Sequence, residues 1–210
     1  LAMHTHQVAI PAWRWRHKNV AAVEPLLKRV AAERLILVST GGADWIGGSG
    51  EARPVEGGYS IHARKVFSSA SPVGDLLMTS AVRKGTDGAP DEVLHFGVPF
   101  TSPKVRLLDT WHTLGMRGSG SHDVEIDGHV VPDGAVALRR RAGMWHPVFH
   151  IIATIAFPLI YAVYVGVAEG ARNVAVDLAR RKPTSHTTNL VGRMDTDLMG
   201  AQLALGGIDF

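Results

Sequence analysis

The chain has 210 residues, 46% of them hydrophobic and none of them cysteine, with 22 basic against 19 acidic side chains for a formal charge of +3. That is enough apolar material for a buried core, and the charge is too evenly balanced for a nucleic-acid binder. The lack of cysteine excludes disulfides, thiolate catalysis and cysteine-ligated zinc or iron–sulfur sites, and fits a reducing, cytoplasmic setting.

Residues 1–34 read as helix and as the end of an N-terminal helical domain. Val23, Leu26, Leu27 and Val30 recur at helical spacing, Pro25 stands near that helix's start, and a break at 15–19 separates it from an earlier helix. The short basic runs at 14–18, 139–141 and 180–182 read as solvated helix ends. Eleven histidines are many for this length. Yet His4 and His6 point apart on a helix, and His146 and His150 lack the glutamate of a zinc-binding helix, so no metal site is expected.

Residues 35–138 read as a β domain punctuated by glycine. A short strand at 35–38 enters a loop holding Gly41-Gly42 and Gly47-Gly48-Ser49-Gly50, and 52–55 with 59–66 form a hairpin across Glu56-Gly57-Gly58. Further strands are expected at 75–82, 93–98 and 105–108, then at 122–126 and 129–131 about a turn at Asp127-Gly128. Strands with no helical period between them predict a small antiparallel barrel or sandwich.

Residues 139–210 become helical from Trp145 and read as the start of a C-terminal helical bundle, truncated. The stretch 148–167 approaches transmembrane length, but it carries His150, Pro158 and two tyrosines and leads into Glu169, which predicts a buried core helix and no membrane span. Recurrent Gly166, Ala168, Gly170, Ala171, Ala175 and Ala179 predict close packing on neighbouring helices. A polar linker over 182–189 precedes another helical pattern at 190–205. No secretory signal stands at the start, and the chain reads as the middle of a longer protein. The expected class is α+β: a small antiparallel β-barrel flanked by incomplete helical domains.

Three loops of the β block share a character: Val38-Ser39-Thr40-Gly41-Gly42-Ala43-Asp44-Trp45, then Lys65-Val66-Phe67-Ser68-Ser69-Ala70-Ser71, and the Gly/Ser run from Leu114 to Asp123 around Arg117. Each sets hydroxyls and exposed backbone beside an aromatic or a bend. Ordinary turns account for such residues. So does a cradle for a flat heteroaromatic ring, which takes amides and hydroxyls on its edge and an aromatic side chain on its face.

The order of these segments resembles the middle region of the acyl-CoA dehydrogenase family of flavoproteins, including its flavin-dependent monooxygenase branch. The matching segments are Leu37-Val38-Ser39-Thr40, Gly57-Gly58-Tyr59, Lys65-Val66-Phe67-Ser68-Ser69, Leu114-Gly115-Met116-Arg117-Gly118-Ser119 and Val131-Pro132. The run Gly166-Val167-Ala168-Glu169-Gly170-Ala171 is similar to the first long helix of the family's C-terminal domain.

The resemblance implies a flavin, FAD in a dehydrogenase or FMN in a monooxygenase. It places Ser39, Thr40 and Gly41 at the pyrimidine edge of the ring. Phe67 would lie on the ring face, and Ser68 and Ser69 near its N5 side or the ribityl-phosphate. Arg117 and Ser119 would shape the third loop, and Lys65 would be an ion-pair partner. The chain departs from the family where Thr40-Gly41 replaces Glu-Pro and where Gly42-Ala43-Asp44 falls early. Ser49 is then the candidate for the serine that meets the phosphopantetheine arm of an acyl-CoA.

The activity implied first is α,β-dehydrogenation of an acyl-CoA thioester with hydride transfer to flavin. The alternative is a reduced-flavin monooxygenase acting on an aromatic or heterocyclic substrate. The resemblance further implies a homo-oligomer, dimer or tetramer, and an electron-transfer partner or flavin reductase. None of the chain's glutamates stands where the family has its catalytic base, so no catalytic residue is assigned.

Overall fold

The computed structural model of the chain describes residues 2–40, 42 and 44–207. Two units emerge, Met3–Phe149 and His150–Phe210. In the first, α1 (Ala2–Lys18) ends on Arg16, His17 and Lys18, cations that favour the carbonyl end of a helix. Asn19, at φ 50°, breaks the chain there. In α2 (Glu24–Glu33) Pro25 sits in the first turn, where its missing N–H costs nothing, and left-handed Arg34 closes the helix.

The β domain contains β1 (Leu37–Ser39), β2 (Glu51–Val55), β3 (Gly58–Lys65), β4 (Leu76–Arg83), β5 (Glu92–Pro99), β6 (Val105–Leu107), β7 (Val124–Pro132) and β8 (Leu138–Arg141). They form one eight-stranded sheet in the order β6-β7-β3-β2-β4-β5-β8, with β1 beside β4. Most pairings are antiparallel, as the hairpin signals imply, but β1 and β2 run parallel to β4. Alternating residues of β3, β4, β5 and β7 fill one core: Ile61, Leu77, Leu94, Phe96, Val124, Ile126 and Val131, joined by Val38 and Ala52.

Two local expectations change. Asp127-Gly128 is no hairpin turn: β7 runs straight through it, and because Ile61 pairs with His129 while His62 pairs with Asp127, Gly128 is the extra residue of a bulge. Its φ of +79° explains the glycine, since a bulge needs the same left-handed residue as a turn. The sheet also continues past residue 138. The run Leu138-Arg139-Arg140-Arg141 pairs antiparallel with β5, so the middle basic cluster is strand and not helix end.

The second unit holds α3 from His150 onward (the helix itself spans Val148–Arg181) and α4 (Ser185–Gly206). The break between them is shorter than the expected linker, because Thr184 caps α4 in a reciprocal box with Thr187. Arg172 donates two bonds to the Asp195 carboxylate, at 2.8 and 3.1 Å, and Gln202 donates to Glu169.

The expectation of a buried, closely packed α3 is not met within the described residues. A Cβ at Gly166 or Gly170 would meet nothing within 4 Å, and Val167, Val174 and Leu178 are exposed. By length and composition α3 is apolar enough to cross a membrane, and 17% of its most apolar stretch is buried.

Gly58 opens β3 against β7, where a Cβ would stand 2.2 Å from the Val131 carbonyl oxygen. Backbone cannot give way as a side-chain tip can, so Gly58→Ala should cost about 2 kcal/mol or more of unfolding free energy in a urea titration. Gly57→Ala at the adjacent turn meets no atom, and its penalty comes only from the +73° φ.

Candidate functional site

The first loop leaves β1 at Ser39, a buried residue braced from α1. Gln7 Nε2 donates to Ser39 Oγ at 2.9 Å, and the Leu37 amide donates to His4 Nδ1 at 3.0 Å. His6, also buried, lies beside Gln7 Nε2 at 3.1 Å. Thr40 turns inward, its hydroxyl paired with that of Thr79 at 2.7 Å. Gly41 falls outside the described residues.

Farther along, the loop is tied to the end of β3. Lys65, 1% exposed, donates to Asp44 Oδ2, to the Ser49 carbonyl and to Ser49 Oγ, while Ser49 Oγ donates to Asp44 Oδ1. Burial pulls the Lys65 ammonium below the usual lysine range and the Asp44 carboxylate opposes that pull. From β8, Arg140 closes the other side, donating to the carbonyls of Asp44, Trp45 and Ile46 and to His95 Nε2. Its guanidinium lies 4.9 Å from the ring of Phe149, which packs with Trp45 and Trp145.

The second loop leaves the end of β3 at Lys65. Phe67 has φ 54°, a left-handed conformation that a bulky side chain rarely adopts, and the residue is 57% exposed. Neighbouring bonds hold it there. The Ser69 amide donates to the Phe67 carbonyl at 2.9 Å, the Ser68 amide to the His122 carbonyl at 3.1 Å and the Ala70 amide to the Ser119 carbonyl at 2.8 Å. The Ser71 hydroxyl donates to the Gly120 carbonyl.

A row of hydroxyls then joins the second loop to the third: Ser69 Oγ to Ser121 Oγ at 2.8 Å and Ser121 Oγ to Ser119 Oγ at 2.7 Å. An isolated bridge links Ser39 to Ser69. The three loops singled out in the sequence therefore meet. Trp111 stands edge-on to Phe67, ring centres 6.2 Å apart and planes at 85°.

The expected residues separate into two sets. Ser39, Phe67, Ser69 and Ser119 come together around this junction. The hydroxyls of Thr40, Ser49 and Ser68 are engaged inside the protein, by Thr79, by Asp44 with Lys65, and by the Lys65 carbonyl. For Ser49 the reason is the buried charge pair, which draws every nearby polar atom to itself. Arg117 is exposed and donates to the Thr113 carbonyl at 3.0 Å, a brace of its own loop. Lys65 is the ion-pair partner that the sequence implied. Among the described residues no cluster of histidine and carboxylate side chains is placed to hold a metal.

Sequence reasoning missed Gln7, Trp111, His122 and Arg140. The last lay in a basic run that reads locally as surface, and the others act across 11 to 32 positions, with no local pattern to mark them.

Two measurements check this construction. Lys65→Met should cost about 3–5 kcal/mol, since it strands a buried carboxylate, and adding Asp44→Asn should recover a good part of that loss. His95 is held from 6.5 down to about 4 by burial first and then by the Arg140 charge. A lowered base binds its proton less readily in the folded chain than in the unfolded one. Its contribution is therefore complete above 6.5 and is lost as pH falls toward 4, a drop of about 3 kcal/mol. Urea titrations across that range should show the decline, and His95→Gln should flatten it.

No family model matches the chain. Among curated relatives it is 29% identical over 173 residues to the amino sugar nitrososynthase DnmZ of Streptomyces peucetius, covering 81% of this chain and 42% of that one. It is 27% identical over 127 residues to the putative acyl-CoA dehydrogenase YdbM of Bacillus subtilis, covering 59% and 30%. Among solved structures, KijD3 in complex with FMN and dTDP-3-amino-2,3,6-trideoxy-4-keto-3-methyl-D-glucose superposes with a TM-score of 0.80 at 28% identity, over 99% of this chain and 53% of that one. The chain thus spans about half or less of the length of the proteins it matches.

Proposed function

We propose that the chain, which is similar to flavoproteins of the acyl-CoA dehydrogenase family, is the flavin-binding core of a monooxygenase that oxygenates the amino group of a nucleotide-linked amino sugar. The observation that carries the flavin reading is Phe67, an exposed aromatic ring held in a strained backbone conformation at the junction of three loops. Strain of this kind persists only where surrounding bonds enforce it, and it concentrates at ligand sites.

The residues present fit an isoalloxazine ring. Phe67 offers a face, Trp111 a perpendicular wall, and Ser39, Ser69 and the main chain beside them offer partners for a polar edge. Gly41 belongs to the same proposed edge. When bound and reduced, flavin supplies two electrons to dioxygen, so that one oxygen atom reaches the substrate nitrogen and the other leaves as water. The chain's part is to hold the ring flat against Phe67, to keep its edge hydrogen-bonded, and to exclude water between the loops.

FMN is favoured over FAD because the KijD3 complex contains it, and the amino-sugar substrate is favoured by the names of that complex and of DnmZ. Reduced flavin would then come from a separate reductase. α3 would be a core helix of a larger helical domain, since the superposition on KijD3 covers 99% of this chain, and a homodimer or homotetramer is the proposed assembly.

Dehydrogenation of an acyl-CoA is the second reading, supported by the similarity to YdbM. It is the weaker one, because the Ser49 hydroxyl that was to meet the phosphopantetheine arm is locked between Asp44 and Lys65.

The test is oxygen uptake with reductase-supplied FMN and a panel containing a dTDP-amino sugar, an aromatic amine and an acyl-CoA. Substrate-dependent uptake with an oxygenated amine by mass spectrometry is expected, and anaerobic bleaching of bound flavin by the acyl-CoA would overturn the reading. Phe67→Ala should weaken FMN binding about tenfold in a fluorescence titration.

A further inference from the structure

The third loop carries a histidine that neither the resemblance nor the proposed activity employs. His122 Nδ1 lies 3.1 Å from the amide nitrogens of both Thr110 and Trp111. Backbone amides only donate, so toward them Nδ1 is the acceptor. The same residue's carbonyl accepts the Ser68 amide. One residue therefore grips both segments that present the aromatic pair: Trp111 through its ring, and the Phe67 loop through its main chain.

The rest of the loop depends on that grip. Thr110 Oγ1 accepts the Asp123 amide, Trp111 Nε1 donates to the Met116 carbonyl at 3.1 Å, and Arg117 returns to the Thr113 carbonyl. Beyond these bonds the segment is exposed, with Leu114 at 94% and Met116 at 57%. Apolar burial does not hold it. Its position relative to Phe67 rests on a few directed bonds: His122 Nδ1 holds the Trp111 main chain and the Met116 carbonyl holds the indole N–H. Asp109 lies 3.6 Å from His122 Nδ1 and 3.3 Å from His112 Nε2, at the same corner.

We propose that His122 is the positioning residue of the ring site: with Nδ1 as acceptor for the Thr110 and Trp111 amides, it sets Trp111 edge-on to Phe67 and so fixes the wall against which a flat ring stacks. The inference rests on the flavin reading for its ligand, but not for its geometry.

The side-chain amides of asparagine and glutamine separate the two ring nitrogens. Asn Oδ1 falls near the place of Nδ1, whereas Gln reaches toward the place of Nε2. The full chain would be prepared as parent, His122→Asn and His122→Gln, with 5-fluorotryptophan incorporated and the Trp111 fluorine resonance assigned by Trp111→Phe. FMN would be titrated into each by flavin fluorescence, and circular dichroism would confirm folding.

The expected result is a Trp111 resonance near its parent position in His122→Asn and moved to the solvent-exposed value in His122→Gln. FMN should bind His122→Asn within about twofold of the parent and His122→Gln about tenfold more weakly, the cost of leaving the Trp111 amide without its acceptor while the Thr110 amide keeps the Leu108 carbonyl. An unmoved Trp111 resonance in His122→Gln, or equal behaviour of the two variants, would overturn the proposal. If the parent itself fails to bind FMN, the flavin reading falls, while the fluorine spectra still decide the role of His122.

Discussion

A buried ion pair sets the geometry from which the site follows. Lys65 ends β3 and Asp44 sits in the loop after β1, and their contact brings the loop over residues 44–49 against the strand end from which Phe67 departs. Such a pair adds little net stability, because desolvation consumes most of the Coulombic gain. Its consequence is geometric. A charge taken out of water must be met by named partners at fixed distances, and Lys65 finds three oxygens on Asp44 and Ser49. Arg140 repeats the logic from β8, satisfying three successive carbonyls of the same loop, and its charge adds to the burial that makes His95 resist protonation.

With that corner fixed, the second loop has little freedom. Within six residues it passes from Lys65 through left-handed Phe67 to left-handed Ala70. The energy of those conformations is offset by bonds to the third loop: main-chain bonds to His122 and Ser119, and the hydroxyl row Ser69–Ser121–Ser119. The outcome is an aromatic ring kept at the surface, where burial alone would have drawn it into the sheet core. Polar satisfaction orders the loops, and apolar packing orders the sheet beneath them. That division of labour suits a site where a ring must enter and leave without disturbing the core.

Local chemistry made some of this legible from the chain. Gly57, at φ +73°, joins β2 to β3 where the hairpin signal stood, and the alternation of β4 and β5 matches their burial. Asp127-Gly128 shows the limit of a local signal: the sequence asks for a left-handed residue, and only the pairing with β3 decides that it serves a bulge. β8 was hidden because three arginines in a row look solvent-facing, although Arg140 points inward to carbonyls far away in sequence. The loops were marked as a set by their order along the chain. Which of these residues meet at the junction was not, since nothing in the local sequence separates Thr40, Ser49 and Ser68 from Ser39 and Ser69. The helices of the second unit were legible from their periodicity, but a small-residue stripe states only that a helix can be approached closely, not by what.

The central claim is that the three loops form one ring site on Phe67. A crystal structure of the chain soaked with FMN tests it most directly. The account predicts the isoalloxazine lying on the Phe67 ring beside Trp111, with its polar edge toward Ser39 and Ser69. Flavin bound elsewhere on the chain, with the Phe67 ring left uncovered, would contradict it.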